Sequence, residues 1–143
     1  MPFTRNDEDK KTLFTCQGAS EKDVFIDAGH ALFDGLAHNN KIRGDVRQEI
    51  VIQADDLNAL FVGWLKELMS RFTDMGMLYA DFDVFSIQNV GAKNMVLTGA
   101  VYGEQIDTQR HTVDNAARLD EAHAACHEKA GTFSCAFSLS HSE

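Results

Sequence analysis

Residues 55–76 read DDLNALFVGWLKELMSRFTDMG, and within them Leu57, Leu60, Phe61, Trp64, Leu65, Leu68, Met69 and Phe72 recur at i, i+3, i+4 spacing. That period gathers the apolar side chains onto one stripe of an α-helix, which must be buried against something. Asp55 or Asp56 stands where a carboxylate accepts the free amides of a first turn. Gly76 stands where a chain leaves a helix in the left-handed conformation. The stretch predicts a core helix with both ends signed. The Asp55-Asp56 pair is read as a cap rather than as cation ligands, and the Trp64 stripe as core packing.

Working outward, residues 46–53 alternate, with Val46, Ile50 and Ile52 on one side and Arg47, Glu49 and Gln53 on the other, which predicts a half-buried strand. Upstream, Ser20 followed three residues later by Asp23 resembles a capping box. Phe25, Gly29, Leu32 and Leu36 then share one face of a second helix within residues 20–40, ended by His38-Asn39-Asn40. Residues 13–17, closed by Gly18, read as a strand before it. After Gly76 the chain reads as strands and turns: residues 79–87, a loop through Gly91, residues 95–102, an irregular stretch 103–110 and two further strands. Phe133, Cys135, Phe137 and Leu139 alternate with Thr132, Ser134, Ala136 and Ser138 and give the clearest strand of these. Asp81 and Asp83 fall on the solvent side of theirs. The order β-α-β-α followed by a strand meander predicts an α+β fold, two amphipathic helices packed on a largely antiparallel sheet.

The 143 residues form a single predicted domain, 1–143, with 44% hydrophobic and 24% charged residues, and one proline and ten glycines leave no linker-like stretch. A chain of this length buries roughly two-thirds of its unfolded surface. No apolar run approaches the roughly 20 residues of a membrane helix. The charged N-terminus lacks the apolar centre of a signal peptide, which points to the cytoplasm. A formal charge of −9 without clustered Lys and Arg argues against stable direct binding of nucleic acid or an anionic membrane. It suits a basic protein partner or a cation. Cys16, Cys126 and Cys135 form no CxxC pair, and their odd count predicts reduced, mostly buried thiols.

Candidate chemistry is sparse. His111, His123 and His127 lie near Asp107, Asp114, Asp120 and Glu121, but the sequence around Ala124-Ala125-Cys126 reads as a turn, where the four-residue spacing of His123 and His127 aligns nothing. Scattered surface histidines are the simpler reading. Cys126 between those histidines is read as a small apolar residue rather than a nucleophile. No Walker loop, GxGxxG, GxSxG or HExxH is present.

Taken in order, several segments resemble the archease family, small proteins that activate the GTP-dependent tRNA-splicing RNA ligase. Gly18 to Phe25 followed by Ala31-Leu32-Phe33 is similar to the family's first helix and the glycine before it. Residues 50–57 leading into Trp64-Leu65-Lys66-Glu67-Leu68 resemble its second strand and helix. Gly99, Tyr102-Gly103-Glu104, Asp107 and Arg110-His111 match its G-x-x-Y-G-E-x-x-D-x-x-x-H stretch, with His123 at the family's spacing beyond. The resemblance runs from residue 13 to residue 139. It implies an accessory protein with an RNA-splicing ligase as partner, no catalytic residue of its own, and Glu104, Asp107, His111, Arg118 and His123 as partner or pocket contacts. It also implies a divalent cation, Ca²⁺ or Mg²⁺, held by carboxylates.

The sequence departs from the family at that cation. The family's N-terminal aspartate falls on Lys11 and its final-strand aspartate on Ser140, while its late lysine falls on Arg118. Asp9, on the same face as Lys11 if the strand extends that far, is the acid left to act as a metal ligand. Two alternatives remain open: a divergent relative that has lost the metal and serves another protein partner, and a small metal-dependent phosphoester hydrolase using Asp107, His111 and His123.

Overall fold

The computed structural model describes residues 3–37, 41–114 and 116–141. Two helices and eight strands follow in the order β1 (Phe3–Glu8), β2 (Lys11–Gly18), α1 (Glu21–Leu36), β3 (Val46–Ala54), α2 (Leu57–Met75), β4 (Met77–Asn89), β5 (Met95–Gln105), β6 (Arg118–Leu119), β7 (Ala125–Lys129) and β8 (Thr132–Ser140), with a 3₁₀ turn at Glu121–His123 before β7. The α+β class and its antiparallel pairing are as the sequence predicts.

Both helices are capped as their sequences indicate. The Ser20 hydroxyl accepts the Asp23 N–H at 3.2 Å. The Asp56 carboxylate, rather than Asp55, accepts the Ala59 N–H at 2.8 Å. Gly76 closes α2 at φ 66°, a left-handed conformation in which its N–H bonds back to Arg71 and Phe72 carbonyls. The residues expected to end the first helix, His38-Asn39-Asn40, lie outside the described residues; α1 itself stops at Leu36.

The strands form two sheets. One runs β1-β2-β8-β6, with β7 also paired to β8; the other runs β3-β5-β4. Strand β8 thus carries β2 along one edge and β6 and β7 in tandem along the other. A contiguous apolar core joins the sheets and both helices: Trp64, Phe25, Phe61 and Phe137 are fully or almost fully buried within it. The Trp64 indole N–H donates to the Phe25 carbonyl at 2.9 Å, tying α2 to α1 inside that core.

Several sequence expectations are corrected. A strand, β1, precedes the first one predicted; only Phe3 of it is buried, so its charged residues gave no alternating signal. Val46 is exposed, because it begins β3 beyond the covered part of the sheet. The segment around Ala125 and Cys126 is strand β7 rather than a turn, making three strands after β5 instead of two. Cys126 and Cys135 are not free thiols. They are directly opposed in the β7–β8 register and joined in a disulfide, leaving Cys16 as the free, buried cysteine. The odd count concealed a pair that only the hairpin brings together, over a two-residue turn at Ala130 and Gly131 with positive φ at both.

Candidate functional site

The stretch carrying Gly99, Gly103, Glu104, Asp107 and His111 becomes the last part of β5 and the loop after it. Its glycines serve the sheet. A Cβ at Gly103 would lie 1.9 Å from the Leu78 carbonyl oxygen, and one at Gly99 would lie 2.2 Å from that of Asp83. Each faces the last residue before a β4 irregularity, Gly103 opposite Tyr79 and Gly99 opposite Val84. The bulges push β4 backbone into space that only a glycine leaves open.

Beyond β5, the Ile106 N–H bonds to the Gly76 carbonyl at 2.8 Å, fixing where the loop leaves the sheet. Asp107 then organises a tight turn. Its carbonyl accepts the Arg110 and His111 N–H groups at 2.9 and 2.7 Å, and its carboxylate accepts the Gln109 N–H at 3.0 Å. The turn returns Arg110 and His111 onto Glu104. The carboxylate of Glu104 accepts the Arg43 N–H at 2.6 Å, pairs with the Arg110 guanidinium and meets His111 Nε2 at 3.2 Å. Because His111 Nδ1 accepts the Asp107 N–H at 2.9 Å, its ring proton belongs on Nε2, which donates to Glu104.

Burial alone would raise the Glu104 pKa, but the Arg43 amide, the Arg110 guanidinium and His111 outweigh it and bring the carboxyl down to about 2. The imidazole is almost wholly enclosed, at 1% side-chain exposure, and the carboxylate at 11% is nearly so. This arrangement is a satisfied ionic lock. Its carboxylate is held by three donors and the His111 Nδ1 lone pair by the Asp107 N–H, which leaves neither base poised to take a proton from a substrate.

The other predicted site residues lie elsewhere. His123 is exposed and pairs with Asp120 at 2.6 Å. Among the described residues no three or more His, Cys, Asp and Glu side chains are grouped to hold a metal ion. Asp107, His111 and His123 therefore do not assemble the hydrolase centre considered from sequence. Asp9 stands in the exposed two-residue turn between β1 and β2, so the strand does not extend far enough to put it on the Lys11 face. Cys16 is unsuited to nucleophilic chemistry, since burial pushes its thiol up to about 12.

Arg118, Lys11 and Ser140 do come together. Lys11 is the register partner of Ser140 across β2 and β8, and Arg118 is the register partner of the same Ser140 across β6 and β8. Positions from the two ends of the chain, Lys11 on one side and Arg118 and Ser140 on the other, form one row. Sequence spacing could not show this row, because it exists only through β8. A neighbouring polar chain was also missed: Thr12 donates to Asp7 at 2.9 Å and contacts His141 Nε2 at 2.9 Å, and His141 Nδ1 meets Asp114 at 2.5 Å.

Residues 11–136 match the model of the Archease protein family (MTH1598/TM1083). The chain belongs to the archease family. It is 31% identical over 94 residues to protein archease of Methanosarcina barkeri, an alignment covering 66% of this chain and 64% of that one. Protein archease of Methanopyrus kandleri is 27% identical over 111 residues, 78% of each chain. Protein archease of Pyrococcus furiosus is 31% identical over 94 residues, covering 66% of this chain and 65% of the relative. The match thus spans just under two-thirds of the M. barkeri and P. furiosus proteins. The solution structure of Methanobacterium thermoautotrophicum protein 1598 superposes with a TM-score of 0.81 over 97% of this chain and 98% of that one, at 20% identity, and so shares its fold.

The donor set at the two positions where the resemblance asks for acids does not fit a divalent cation. Lys11 brings a positive charge and Ser140 a neutral hydroxyl, whereas Ca²⁺ and Mg²⁺ need anionic oxygens to offset the loss of their water.

Proposed function

We propose that the chain acts on a GTP-dependent tRNA-splicing RNA ligase, promoting its guanylation and its repeated turnover, and performs no covalent step itself. Family membership supports the class of partner. The observation that carries the non-catalytic role is the Glu104 lock, in which the motif's carboxylate is held by Arg43, Arg110 and His111. A group so satisfied presents a fixed surface better than it exchanges protons. Arg110, at 33% side-chain exposure, and Asp107, at 47%, are the parts of that turn open to a partner. No helix among the described residues is long and apolar enough to cross a membrane. A cytoplasmic setting suits the role.

The test is ligation by a matched RNA ligase with and without the chain, counted as joined ends per ligase molecule. Many joined ends per ligase in its presence is the expected result. A count that stays at one turnover across ligases from the same source would sink the activator reading. The row at Lys11 and Ser140 favours a second reading, a relative that serves a different protein partner, and that same negative outcome would support it.

A further inference from the structure

We propose that the row Lys11–Ser140–Arg118 is an anion site that takes a compact phosphate oxyanion where the family resemblance asks for a divalent cation. The register places the three residues side by side on one face of the five-stranded sheet, with Ser140 shared as partner by both cations. Neighbouring strands lie about 4.8 Å apart, so the row spans about 10 Å between outer Cα atoms. The long Lys and Arg side chains can close that distance over the hydroxyl between them.

The charges are available. Arg118 and Ser140 are exposed and Lys11 is half-buried. Among the described residues neither Lys11 nor Arg118 is ion-paired; Arg118 spends one N–H on the neighbouring Ala117 carbonyl at 3.1 Å. Arg118 also borders a groove of about 570 Å³ against α2, together with Lys66, Ser70 and Thr73, which leaves room for a ligand at this end of the row. Two carboxylates stand nearby: Glu8 faces Lys11 across the β1–β2 ladder without forming an ion pair with it, and Glu121 lines the groove beside Arg118, where it is paired with Lys66 at 3.5 Å.

The chemistry selects phosphate over other anions. A carboxylate offers two oxygens, which the fork of Arg118 alone would satisfy. A phosphate offers more oxygens and up to two charges, enough for an ammonium and a guanidinium from the outer strands and for the Ser140 hydroxyl once it turns from the Arg118 carbonyl, on which it rests at 3.4 Å. The net charge of −9 selects a compact ion over a polyanion, because a nucleic acid would meet repulsion from the rest of the surface. The inference concerns the isolated chain and does not depend on the identity of its protein partner.

The experiment is a ¹H–¹⁵N NMR titration of the full chain at low ionic strength with inorganic phosphate and, separately, with Ca²⁺. Saturable phosphate shifts centred on Lys11, Ser140 and Arg118 are expected, and no saturable Ca²⁺ response at those amides. Lys11→Ala and Arg118→Ala should each weaken phosphate binding by about tenfold, as expected for loss of a charge-assisted hydrogen bond. Glu8→Gln should strengthen it, and Lys93→Ala, in the β4–β5 turn, should leave it unchanged. Glu8, Lys93 and Arg118 are exposed and Lys11 is half-buried, and folding of each variant is checked from the same spectra. The proposal is overturned by absent phosphate saturation, by binding indifferent to Lys11→Ala and Arg118→Ala, by equal weakening in Lys93→Ala, or by saturable Ca²⁺ binding at the row.

Discussion

Glu104 carries the clearest pH dependence in the molecule. Its folded pKa of about 2 lies below the ordinary value of 4.5, so the carboxylate contributes stability that is fully present above about 4.5 and lost as pH falls through about 2. Glu104→Gln removes the charge that Arg110 and the Arg43 amide address, and should cost about 2 kcal/mol at pH 7. It should also flatten the acid limb between those two values. Urea unfolding at several pH values compares the two proteins, and parallel acid limbs would show that the carboxyl has no folded-state preference. The glutamate, the aspartate and the histidine were legible as a motif; their mutual lock was not. Arg43, 61 positions away from Glu104, enters through a backbone N–H that no sequence pattern encodes.

At the level of elements, the same motif divides into chemistry and sheet geometry. Gly103 is required by the close approach of β4 at its irregularity after Tyr79, with the Leu78 carbonyl oxygen 1.9 Å from where a Cβ would stand. Backbone cannot rotate away as a side chain can, so Gly103→Ala should destabilise by at least about 2 kcal/mol through displacement of β4. Denaturant midpoints check this, and a change within experimental error would show that the bulge relaxes freely. The helices were readable because caps and apolar periods are local signals. Strands β1 and β7 were not, since an exposed edge strand has no apolar alternation and a five-residue strand offers too few positions. The Cys126–Cys135 bridge and the Lys11–Ser140–Arg118 row went unread for a related reason. Both are defined by strand register, which the sequence does not state.

For the whole molecule, the question is whether two sheets built from interleaved segments behave as one folding unit. The five-stranded sheet takes strands from both ends of the chain, while β3, β4 and β5 come from its middle. Neither sheet buries its apolar face alone: α1 packs on β4 of one and on β2 and β8 of the other, and α2 reaches β3 and β7. Trp64 lies where these contacts meet, near Phe25 and Phe82, with its indole N–H on the Phe25 carbonyl. It is the chain's one tryptophan, so its fluorescence reports the joint between helices and sheets without interference. Losing either sheet would expose that joint. Denaturant unfolding followed by Trp64 emission should therefore coincide with loss of far-ultraviolet circular dichroism in a single transition with one midpoint. Two separated transitions, with fluorescence lost before the strand signal, would instead mean that one sheet persists without the shared core and that residues 1–143 hold more than one folding unit.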